Sequence, residues 1–153
     1  MEGIVVSRHS NENLTSFQRG IVMYGPPGNG KTISIKAIMK GALDKGYSPL
    51  YVKSFKSNAQ ILHIHPITEL STGWAGEEFA MLQVFEKARA EAPCVIILED
   101  LDSLINDDNR SFFLNQLDGL ENNDGLLVVG STNHYDRLDP AITKRPSRFD
   151  RKL

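Results

Sequence analysis

Four short runs of consecutive apolar residues stand along this chain, separated by longer segments whose apolar positions recur at helical spacing. That alternation predicts an α/β fold, a parallel sheet covered by helices. "GIVMYG" (20–25) reads as a buried strand, and "KTISIKAIMKGALDKG" then carries Ile33, Ile35, Ala37, Ile38, Ala42 and Leu43 as a helix that stops at Gly46. "PLYVKSF" (49–55) is a second strand. "GEEFAMLQVFEKARAEAP" is an amphipathic helix, acidic in its first turn, basic near its last and followed by a proline. The third strand runs from Cys94 to Leu98, "RSFFLNQLDGL" is a shorter helix, and "GLLVVGST" (125–132) is a fourth strand whose lack of charge places it centrally. "LDPAITKRP" begins a last helical turn, and the sequence stops at Arg151, Lys152 and Leu153, where another strand would begin.

One stretch departs from this rhythm. "NAQILHIHPITELSTG" (58–73) lies between the second strand and the next helix, where a connection usually takes about two to six residues, and it shows no amphipathic period. His63 and His65 would share one face if it were a strand, but with no third ligand in sight they read as solvated or packed histidines.

Composition narrows the classes. The 153 residues make one domain, and a net charge of -2 with 24% charged residues carries no basic footprint for nucleic acid. No run approaches membrane-spanning length and no secretory signal precedes the first strand, so a soluble, intracellular protein is expected. The single cysteine, Cys94, lies inside an apolar run, which excludes a disulfide framework and reads as a buried core thiol.

Two motifs carry chemistry. "GPPGNGKT" comprises Gly25, Pro26, Pro27, Gly28, Asn29, Gly30, Lys31 and Thr32, and matches G-x-x-x-x-G-K-[ST] between a strand and a helix. Triphosphate oxygens need several converging donors. Gly28 and Gly30 let backbone N–H groups point inward at the positive end of the helix, Lys31 adds a mobile charge, and Thr32 offers a hydroxyl to Mg²⁺. The second motif is the pair Glu99 and Asp100 at the end of the third strand, where ligands of open α/β sheets bind. Successive strand residues face opposite ways, so one carboxylate would hold Mg²⁺ and the other would orient and deprotonate water. The alternative is that they cap the helix-like "LDSLI" segment.

With these motifs in order, the chain from about residue 20 onward resembles the AAA+ ATPases, specifically the AAA group that carries a second region of homology. "GPPGNGKT" resembles its Walker A, "VIILEDLDSL" its Walker B, "GSTN" its sensor segment and "LDPAITKRPSRFDRK" its arginine-finger segment. The resemblance implies a three-layer P-loop sandwich with strand order 5-1-4-3-2, an ATP and Mg²⁺ site at a subunit boundary, and self-assembly into a ring, commonly a hexamer. It makes Asn133 the residue that positions the attacking water, Arg145 and Arg148 the finger residues, and Trp74, Ala75 and Gly76 a pore loop that grips a polypeptide substrate.

The chain also departs from that family. The commonest Walker B order is Asp then Glu, whereas this sequence resembles subgroups with the swapped order, among them fungal members and relatives of the mitochondrial Rieske-protein assembly factor. Position then makes Glu99 the metal-side carboxylate and Asp100 the base. Residues 58–73 look like an insertion, because removing them would join Ser57 to Trp74 and restore the subgroup's pattern. The expected organisation is an extension at 1–19 and an AAA+ core at 20–153, with the last edge strand truncated and the helical lid absent. A cytoplasmic or nuclear location is favoured over a mitochondrial one. Two other functions compete with an ATP-hydrolysing motor: a nucleotide-gated assembly module without productive turnover, and a P-loop kinase, which would need neither a sensor asparagine nor arginine fingers.

Overall fold

The computed structural model describes residues 19–56, 61–63, 76–118, 123–144 and 151–152. In chain order these form β1 (Arg19–Tyr24), α1 (Lys31–Asp44), β2 (Ser48–Val52), β3 (Ile61–His63), α2 (Glu77–Ala90), β4 (Cys94–Leu98), α3 (Leu101–Leu104), α4 (Arg110–Asp118), β5 (Leu126–Thr132), a 3-10 turn at Tyr135–Arg137, α5 (Pro140–Thr143) and β6 (Arg151–Lys152). One sheet takes all six strands in the order β3-β2-β4-β5-β1-β6. The pairs β2–β4, β4–β5, β5–β1 and β1–β6 are parallel, and β3 alone runs antiparallel, beside β2. With β3 set aside, the five parallel strands counted along the chain stand in the expected order 5-1-4-3-2.

β3 arises from the segment that the sequence left without a periodic element. Three residues are too few to display a period of two, yet Leu50, Tyr51 and Val52 pair with His63, Leu62 and Ile61. At the opposite edge β6 pairs with β1 over Ile21 and Val22 only.

The sheet is covered on both faces, which explains why its central strands are apolar at every position. All five residues of β4 are buried. On one face, Val95 and Ile97 join Met23, Ile35 and Val129 beneath α1. On the other, Ile96 and Leu98 join residues of α2, α3, α4 and α5 in the larger cluster. α2 commits one stripe to that cluster, with Ala80, Met81, Val84, Phe85 and Ala88 buried. Its charges complement the helix dipole: Glu77 and Glu78 open it and Lys87 and Arg89 close it. The Phe85 and Phe113 rings meet edge to face at 6.3 Å. Arg89 lies over Phe85 and donates to Asn123 (2.9 Å) and Gln116 (3.0 Å), tying α2 to the turn before β5. Cys94 is the buried thiol expected, donating to the Ser48 carbonyl, and burial pushes its pKa up to about 12.

Gly130 permits a close approach between layers. A Cβ there would lie 2.9 Å from Cδ2 of Leu101, which is fully buried where α3 folds back over β5. Gly130→Val is therefore expected to destabilise the protein by about 1–3 kcal/mol through overpacking. A denaturant titration checks this, the midpoint falling while the slope stays that of the parent protein.

Candidate functional site

The phosphate loop begins where β1 ends at Tyr24 and leads directly into α1. Gly28 and Gly30 adopt φ of 83° and 91°, conformations that side chains rarely accept, so glycine is required here for backbone shape. Gly30 caps α1 without any side-chain bond, and no acidic residue stands in the first turn. The helix start thus keeps its donors and its positive dipole end for an external anion. The Lys31 ammonium folds over the loop, donating to the Gly25 carbonyl (2.7 Å), the Pro26 carbonyl (2.8 Å) and Asn29 Oδ1 (3.2 Å). Glycine backbone, a helix start without a side-chain cap and one mobile ammonium form a donor set suited to phosphate oxygens.

The carboxylate pair lies across β5 from this loop. Alternation along β4 points Val95 and Ile97 toward α1 and Leu98 toward α2, so continuation of the pattern carries Glu99 to the α1 side. Tyr51 of β2 packs on the same side and pairs in register with Ile97, which makes Glu99 its diagonal neighbour. The Tyr51 hydroxyl donates to Glu99 Oε2. Burial first, and then the Glu99 carboxylate, raise the Tyr51 phenol above its ordinary range, so it stays a neutral donor.

Asp100 breaks the strand. Its φ of 52° and ψ of 53° are left-handed, the only positive φ at a non-glycine among the described residues. Its carbonyl accepts from Ser103 and Leu104 as the cap of α3. Its carboxylate makes no capping bond and is exposed. The helix-capping alternative therefore fails for the Asp100 side chain.

Asn133 follows β5 immediately and is exposed. Thr132 before it donates to Asp102 Oδ1 (2.6 Å) and accepts from the His134 backbone (2.9 Å), which ties the end of β5 to α3. The Tyr24 and Tyr135 rings pack with centroids 4.4 Å apart, joining the end of β1 to the turn after Asn133. Because β1, β5 and β4 are adjacent and parallel, the phosphate loop, Asn133 and the carboxylates emerge together along the edge of the sheet formed by the carboxyl ends of its parallel strands.

Other residues singled out by the sequence stand apart from this edge or outside the described residues. Gly76 is the exposed N-cap of α2. Trp74, Ala75, Arg145, Arg148 and His65 lie outside the described residues, and of His63 only its place in β3 is described. Among the described residues no group of three His, Cys, Asp or Glu forms a separate metal cluster, and no helix is long and apolar enough to cross a membrane.

The structure adds three features that sequence reasoning missed. Tyr51 and Asp102 each bond a residue of the site from a distant part of the chain, and neither falls in a motif position with an assigned role. The only signal for Tyr51 was a hydroxyl-bearing residue near the carboxyl end of a strand. The third feature lies beside Gly76. Glu77 Oε2 accepts from Asn109 (2.6 Å) and Asn106 (3.2 Å), and buried Asn109 also donates to the Leu104 carbonyl (3.0 Å). The start of α2 is thereby fastened to the loop after α3.

Comparison with known proteins identifies the family. The family described as ATPase family associated with various cellular activities (AAA) matches residues 21–153. The chain is 36% identical over 147 residues to a cell division cycle protein 48 homolog of Archaeoglobus fulgidus, covering 88% of this chain and 18% of that protein. It is 35% identical over 145 residues to the ribosome biogenesis ATPase RIX7 of Saccharomyces cerevisiae, covering 88% of this chain and 15% of that one. It is 32% identical over 157 residues to a Bifidobacterium longum protein named as an AAA ATPase forming ring-shaped complexes, covering 88% of this chain and 30% of that protein. The chain thus spans less than a third of the length of these relatives. A phosphate loop, a carboxylate pair and a terminal asparagine gathered at one sheet edge, together with a family match over nearly all of the chain, establish that it belongs to the AAA ATPase family.

Proposed function

We propose that this chain is an ATP-hydrolysing motor core that acts in a ring of like subunits on a polypeptide substrate. The observation that carries the reading is the turn at Asp100. Its left-handed backbone ends β4 and leaves an exposed carboxylate, free of capping duty, at the edge that also holds the phosphate loop and Asn133. A carboxylate serving only to cap α3 would be bonded to that helix.

The backbone N–H groups of Gly28, Asn29, Gly30 and Lys31 bind and orient the triphosphate, and the Lys31 ammonium exchanges its loop carbonyls for phosphate oxygens. Thr32 and Glu99 would hold Mg²⁺, which supplies charge neutralisation at the outer phosphates when bound. Asn133 orients the attacking water by a hydrogen bond, and Asp100 accepts its proton. Arg145 and Arg148 act on the outer phosphate of the neighbouring subunit, where charge spreads in the transition state. Trp74, Ala75 and Gly76 grip the substrate in the central channel. Self-assembly is supported by the relatives named for ring-shaped complexes.

Asp100→Asn is expected to cut phosphate release by about 10²–10⁴-fold while ATP still binds, since a general base contributes to turnover and not to ground-state affinity. Unchanged turnover with intact ATP binding would remove Asp100 from this role, whereas a parent protein that binds ATP and releases no phosphate would favour an assembly module whose nucleotide is not consumed. Lys31→Ala is expected to weaken ATP binding itself by at least about tenfold, measured by nucleotide titration, because it removes the loop's only ammonium.

A further inference from the structure

The proposed function asks Glu99 for metal ligation but leaves its orientation unexplained. Glutamate has one more methylene than aspartate, and at the end of a strand nothing in its own segment fixes where the carboxylate goes. The neighbouring strand does. Tyr51 pairs in register with Ile97, two residues before Glu99, and its half-buried ring packs against the cluster that holds Met23, Ile35, Val95, Ile97 and Val129. A tyrosine has only two side-chain torsions, and a packed ring fixes both, so the hydroxyl is delivered as a preorganised donor. That hydroxyl bonds Glu99 Oε2, and among the described residues no group bonds Oε1. The same cluster contains Ile35 of α1, one helical turn beyond Lys31 and Thr32, so the side of the sheet to which Tyr51 holds Glu99 is the side on which α1 begins.

We infer that Tyr51 is a positioning residue for the metal site: its hydroxyl holds Glu99 by one oxygen and presents the other toward the start of α1. The inference rests on the nucleotide reading above and deepens it. The contact links strands through residues 48 apart in sequence, and it supplies the outer-sphere hydrogen bond that a ligating carboxylate needs to keep one orientation. Lys53 lies over the same ring, with its ammonium 5.9 Å from the Tyr51 centroid.

The test is Tyr51→Phe, which keeps the ring and deletes the donor. ATP binding is measured by titration in EDTA and across a range of Mg²⁺ concentrations. In EDTA the variant is expected to bind ATP within about twofold of the parent, because the phosphate loop is untouched. The Mg²⁺ concentration giving half of the metal-dependent gain in affinity is expected to rise by about tenfold, the lower end for loss of an outer-sphere partner. In a Glu99→Gln background the same change is expected to add nothing, since the two residues act as one unit. An unaltered Mg²⁺ dependence, or a loss of affinity equal in EDTA and in Mg²⁺, would overturn the positioning role. A parent protein that binds Mg²⁺ and ATP without releasing phosphate would sink the hydrolysis reading alone. A parent protein whose ATP affinity ignores Mg²⁺ would overturn the positioning role alone, since hydrolysis can need the metal without any gain in ground-state affinity.

Discussion

Parallel pairing of β4, β5 and β1 is the constraint on which the site depends. Parallel neighbours must leave the sheet at the same edge, so three segments distant in sequence converge without any contact among their loops being needed. The register is level: Tyr24 pairs with Thr132 and Leu98 with Gly130, so Glu99 and Asp100 leave β4 beside the last two residues of β5. What fixes this pairing is burial on both faces, with β4 buried along its whole length. The chemistry at the edge is polar, but apolar packing positions it.

The turn at Asp100 shows how such packing supports a locally unfavourable backbone. A left-handed residue other than glycine costs about 1–2 kcal/mol. The next residue, Leu101, is fully buried over Gly130, and burying a leucine contributes about 1.5–3 kcal/mol. The anchor offsets the strain, and the missing side chain at position 130 makes room for the anchor. Two polar links then brace the surroundings, Tyr51 to Glu99 and Thr132 to Asp102. They tie the ends of β4 and β5 to β2 and α3, so the edge is held by the sheet and a helix together and does not rely on the loops alone.

The strands that are buried on both faces were the ones the sequence displayed best. β4 coincides with the apolar run from Cys94 to Leu98, and β5 differs from its expected span by one residue. β2 ends at Val52, earlier than the run to Phe55 suggested, because Lys53 is exposed and pairing stops there. β3 was not legible, since three residues joined antiparallel to an edge leave no period to read. At the site, residues within contiguous motifs were found, whereas Tyr51 and Asp102 were not. Their roles come from register between strands and from helix placement, neither of which a local pattern contains. The left-handed turn at Asp100 was equally hidden: aspartate tolerates that conformation, but the burial of Leu101 over Gly130 that accompanies it is a tertiary contact no local pattern contains.

The swapped carboxylates thus acquire distinct surroundings. Glu99 is held by a half-buried tyrosine on the side where α1 begins, while Asp100, one methylene shorter, projects from a turn. On the proposed reading, position in the turn and not residue type separates their tasks. A structure of the protein with Mg²⁺ and a non-hydrolysable ATP analogue tests that claim most directly. The metal is expected between Thr32 and Glu99, with the Tyr51 bond retained and Asp100 facing a water in line with the outer phosphate. A metal bound by Asp100 instead, with Glu99 turned toward that water, would contradict it.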